Sequence, residues 1–133
     1  MQRVPMMSCA DGTGRARRDV AFGINPASNS TVTAKTAAYT ITGQEYGCAF
    51  SNLGAGGSVT WTMPTCFAGA VVGPFFKLAN QTMVLDGKDS DTINGSATLQ
   101  NTASEANSAV VMLVGISSTE WIATVKTGTW NGV

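Results

Sequence analysis

Residues 58–64 read SVTWTMP. Val59, Trp61 and Met63 fall on one side of an extended chain, and Thr60 and Thr62 on the other. That period of two marks a half-buried strand. Pro64 has no amide hydrogen to give a ladder, so the strand ends there. Just upstream lies NLGAGG (residues 52–57). A phosphate-binding loop would need Lys and Ser or Thr after its last glycine, then a helix. Here a strand follows, and with no helix N-terminus the site loses what makes anion binding favourable. The glycines therefore read as a turn that uses positive φ and lets backbone approach closely.

Outward from this strand the text stays β. AYTIT (38–42) alternates, with Tyr39 and Ile41 placed inward. In AVVGPFFKLA (70–79), Phe76 and Leu78 are assigned to the core, and Gly73-Pro74 marks a bulge or an edge. TMVLD (82–86), DTING (91–95) and SATLQ (96–100) are short. SAVVMLVGI (108–116), with Val111 and Leu113, is nearly continuous apolar sequence, as in a strand covered on both faces. The last strand, within STEWIATVKTGTW (118–130), centres on Trp121, Ala123 and Val125. The predicted core is thus Tyr39, Ile41, Val59, Trp61, Phe76, Leu78, Val111, Leu113, Trp121 and Val125. No long amphipathic helix and no internal repeat are visible. Short strands at close spacing, with Gly and Asn turns, predict an all-β domain: a small antiparallel sandwich or barrel.

Charged residues make up only 12% of the 133, and the net charge is zero. Free monomers usually carry more charge, so this composition suits a chain that hides surface against copies or partners. Residues 1–35 read as an extended arm and 36–133 as the β domain. The arm is basic, with Arg3, Arg15, Arg17 and Arg18, and holds one apolar island, Val20, Phe22 and Ile24. Such an arm pairs with acidic protein surface or with phosphates. A nucleic-acid binder would show a basic body too, so docking on protein is the favoured use.

The chemistry in the sequence is thin. With no histidine, Ser–His and Cys–His catalysis are excluded. Cys9, Cys48 and Cys66 lack metal-ligand spacing and are expected to be buried free thiols of a reducing cytoplasm. Asp19, Glu45, Glu105 and Glu120 are scattered, with no sign of a facing acid pair. DGKDSD (86–91) puts Gly87 second and Ala97 twelfth, which breaks the EF-hand pattern and leaves a solvated turn. The expectation is no enzyme, no cofactor and no metal. The opening residues lack the apolar core of a secretion signal, and AVVMLVGI (109–116) is too short to span a membrane.

Three stretches carry a resemblance: YTITGQEYGCAFSNLGAGGSVTWTMP (39–64), AGAVVGPFFKLANQTMVLDG (68–87) and EWIATVKTGTW (120–130). Over about residues 37–130 the chain resembles the surface β modules of tailed-bacteriophage virions, found in tail fibres, head fibres and capsid decoration proteins. The resemblance implies a homotrimer, in which Gly54, Gly56 and Gly57 let neighbouring chains approach near a threefold axis. Trp130 is a further candidate for the subunit contact. The function expected from it is that of a capsid decoration, or cement, protein on the virion surface, made in the host cytoplasm. Its partners would be the major capsid protein and itself. Arg3, Arg15, Arg17 and Arg18 would meet acidic capsid groups, while Val20, Phe22 and Ile24 would fill an apolar groove. The alternative is a head-fibre, tail-fibre or spike module that binds a host receptor through loops such as DGKDSD or NTASEANS.

Overall fold

A computed structural model describes residues 32–133. The arm residues Arg3, Arg15, Arg17, Arg18, Val20, Phe22 and Ile24 lie outside the described residues. Among the described residues all regular structure is strand, as the alternating sequence predicts.

The first nine strands alternate between two sheets as the chain advances. In the first sheet β1 (Thr33–Ala34), β3 (Phe50–Ser51) and β5 (Val71–Lys77) lie side by side and parallel. In the second, β2 (Tyr39–Thr40), β4 (Val59–Thr62) and β6 (Met83–Asp86) do the same. The chain thus winds in coils, one strand per sheet per coil, which is a solenoid-like arrangement. After β7 (Thr92–Ile93) the winding closes with antiparallel strands. β8 (Thr98–Asn101) returns along β6, and β9 (Ala109–Gly115) along β5. β10 (Glu120–Thr127) pairs antiparallel with β9 and parallel with β7, and β11 (Asn131–Gly132) pairs with β8. The sheet orders are β1-β3-β5-β9-β10-β7 and β11-β8-β6-β4-β2.

The expectation of a wholly antiparallel sandwich or barrel is therefore corrected. Parallel neighbours need a long crossover, and here each crossover runs through the opposite sheet. Period-two alternation records which face is buried but not the direction of the neighbouring strand. β1 also lies inside the stretch assigned to the arm, yet it hydrogen-bonds to β3.

The sheets face each other across an aromatic core. Trp61 of the second sheet meets Phe75 of the first edge-on, ring centroids 5.7 Å apart, and Phe50 stacks on Phe75 at 5.5 Å. Such ring pairs add about 0.5–1.5 kcal/mol each beyond area burial. Parallel register puts like positions above one another: Phe50 opposite Phe75, and Tyr39 opposite Trp61 opposite Leu85. Ile41, Val59, Trp61, Val111, Leu113 and Trp121 are buried as predicted, and Tyr39 is half-buried against them.

Three predicted core positions are not buried. Phe76 on the outer side of β5 and Leu78 just past its end are half-exposed, while Phe75 and Lys77 point inward instead. The cause is a register shift between Val72 and Phe75, at Gly73 with φ 103°. One extra residue in a strand moves every following side chain to the other face. Val125 is 64% exposed because β10 has a similar irregularity between Thr124 and Thr127.

Candidate functional site

NLGAGG holds the coils together. Asn52 is fully buried at the end of β3. Its Oδ1 accepts the Leu78 and Ala79 amides at 2.7 and 2.9 Å, and its Nδ2 donates to the Ala79 carbonyl at 3.1 Å. The side chain thereby continues the β3–β5 ladder past the last backbone pair. Gly54 has φ 84°, which a side chain rarely adopts, so its glycine is required by the turn. Gly56 and Gly57 have no such constraint: a Cβ at either would meet nothing in the chain. Trp130 is 5% exposed, and its indole N–H donates to the Thr127 carbonyl at 3.0 Å. Its ring is thus part of the single-chain core.

Glu45, Glu105 and Glu120 each close a separate loop. Glu45 accepts the Tyr39 hydroxyl at 2.7 Å and the Thr42 amide at 2.8 Å. Burial, and then the bond and charge of Glu45, push the Tyr39 phenol up to about 12. The Lys35 ammonium lies 3.7 Å from the centre of the same ring. Glu120 accepts the Gly95 amide at 2.8 Å and the Thr92 hydroxyl. In DGKDSD, Lys88 pairs with Asp89 at 2.9 Å in solvent. Among the described residues no group of three or more acidic or sulfur side chains is placed to hold a metal.

Cys66 is a buried free thiol, bonded to the Ser117 and Glu120 carbonyls, and burial pushes its pKa up. That makes it a weak nucleophile. Cys48 is disulfide-bonded, which corrects the expectation of free thiols at that position. Sequence spacing carries no information on pairing.

The most concentrated polar chemistry surrounds Lys77, which the sequence reading missed. Lys77 is 1% exposed and points from β5 toward the second sheet. Its Nζ donates to Asn101 Oδ1 at 2.8 Å, to the Asn101 carbonyl at 3.1 Å and to the Ala103 carbonyl. Asn101, fully buried on β8, donates through Nδ2 to Glu105 Oε2 at 2.8 Å. Glu105 also accepts the Thr129 amide and hydroxyl at 2.8 and 2.9 Å. Those bonds, the Thr129 amide first, lower the Glu105 pKa. The signal for this cluster was the Gly73-Pro74 bulge, since one extra residue there carries Lys77 inward.

The two sheets present different outer faces. On the second, Thr60, Val84 and Gln100 lie abreast, as do Thr62, Asp86 and Thr98, a mostly polar surface. On the first, Val71, Val114 and Ile122 lie abreast, Phe76 lies beside Val110, and Met112 follows. These side chains are half-buried, and none carries a charge. Phe76, Leu78 and Val110 line a shallow groove of about 220 Å³ on this face.

Comparison with known proteins found no matching family model, no matching curated protein and no matching solved structure.

Proposed function

We propose that this chain is a structural assembly module: its first sheet packs by its outer face against copies of itself, and the homotrimer decorates a tailed-phage capsid as a cement protein. The observation that supports assembly is the run of apolar side chains Val71, Phe76, Val110, Met112, Val114 and Ile122 on this outer face, with Thr124 beside Met112 and Glu120 toward the β7 edge. The other sheet, built by the same winding, turns Thr, Asp and Gln outward. A contiguous apolar face of this kind marks an interaction surface. A partner without charge suits it, and another copy of this sparsely charged chain is such a partner. The capsid as destination rests on the sequence resemblance, and a disulfide at Cys48 fits a particle that ends outside the cell.

Light scattering of the full-length protein, with Met112→Glu and Val110→Glu as variants, tests the assembly step. A trimer mass that falls to the monomer in folded variants is expected; a monomeric wild type would overturn it. The capsid step is read separately from copy number per particle. Hundreds of copies are expected for a decoration protein, and deletion of residues 1–30 should abolish binding to heads. Unchanged occupancy by the truncated chain would overturn the role of the arm.

A further inference from the structure

We propose that Lys77 and Asn101 join in a self-formed isopeptide bond, with Glu105 shuttling the protons. The geometry supplies each part that such a reaction needs. Lys77 Nζ, the nucleophile, stands 2.8 Å from Asn101 Oδ1, and the carbon it would attack is one bond further. Attack requires about 3–3.5 Å between Nζ and Cγ, and the hydrogen bond to Oδ1 holds Nζ beside the carbonyl that carries that carbon. The Ala103 amide donates to the same Oδ1 at 3.1 Å, where negative charge develops as the amide carbon becomes tetrahedral. On the opposite side of the amide, Glu105 Oε2 holds Nδ2, the group that must leave, at 2.8 Å. Lys77 is 1% exposed and Asn101 not at all, so water is kept from the reacting atoms. Burial lowers the Lys77 pKa, with the Glu105 charge opposing, and so favours the neutral amine.

The step balances without a co-reactant. The Lys77 ammonium loses one proton to the Glu105 carboxylate, and the freed lone pair forms the Nζ–Cγ bond. The electron pair of the carbonyl moves onto Oδ1 and returns as the Cγ–Nδ2 bond breaks. Glu105 protonates departing Nδ2 and takes the second proton shed by Nζ. That proton follows the ammonia, which leaves as ammonium, and Glu105 ends as it began. Nothing is oxidised or reduced. The product is a secondary amide between β5 of the first sheet and β8 of the second, a covalent staple across the core.

An ammonium resting on its carbonyl partners would make the same contacts, and mass distinguishes the two. The intact folded wild-type chain is expected to be lighter than its sequence by one ammonia. Trypsin should fail to cut after Lys77 and should release a branched peptide joining Lys77 to Asn101. Asn101→Ala and Glu105→Gln, each checked for folding by circular dichroism, should lose the branch completely. A folded wild type of full sequence mass overturns the proposal, and so does an ammonia loss that maps to any other site. A branch that persists in Glu105→Gln overturns the part given to Glu105.

Discussion

Val125 shows what a single residue can cost. It holds φ 46° in the irregular part of β10, with 64% of its surface in solvent. A β-branched side chain in the left-handed region is strained by about 1–2 kcal/mol, while its exposed side chain gives little burial in return. Asn tolerates that conformation. Val125→Asn is therefore expected to stabilise the fold by about 1 kcal/mol, read as a higher midpoint in urea. Gly115 is the opposite case: a Cβ there would collide with the Phe67 carbonyl, so no larger residue fits. From the sequence, Val125 and Gly115 are two ordinary strand residues. Neither the sign of φ nor a neighbouring carbonyl is written in the local text.

At the scale of elements, short strands are held by side chains that extend their ladders. Asn52→Ala would strand the Leu78 and Ala79 amides where Asn52 now bonds them. A loss of about 3 kcal/mol in unfolding free energy is expected, since buried groups left unpaired cost about 1–3 kcal/mol each. Tyr39 similarly ties β2 to the turn that follows. Its pKa is raised in the folded chain, so its contribution is complete below the ordinary value of 10.0 and is lost as pH rises through about 12. Alkaline unfolding should show an extra loss of stability in that window for the wild type, absent from Tyr39→Phe. Most strand positions were legible from alternation: β4, β6 and β9 fall within the stretches so read. Phe50–Ser51 falls in YGCAFS (46–51), the short alternating run before the glycine turn, whereas Thr33–Ala34 was not legible, because two residues in a polar stretch make no period.

For the whole molecule, the winding creates one polar and one apolar outer face from strands of similar composition. If Gly56 and Gly57 admit a neighbouring chain, their substitution should act only between chains. Gly56→Ala with Gly57→Ala is expected to leave single-chain stability within about 0.5 kcal/mol, because a Cβ at either site meets nothing. The same double variant should lower the trimer fraction in light scattering. An unchanged trimer would remove both glycines from the interface.

The sequence by itself determined that the regular structure of the described residues is strand, that Val59, Trp61, Val111, Leu113 and Trp121 face inward, and that the given sequence holds no histidine. These follow from side-chain type and local period, which need no partner strand to be read. Only the tertiary structure decided that neighbouring coils run parallel, that a bulge turns Phe76 outward and Lys77 inward, and that Lys77, Asn101 and Glu105 meet. Those facts depend on which distant segments become neighbours, and hydrophobic alternation is the same whichever partner a strand finds.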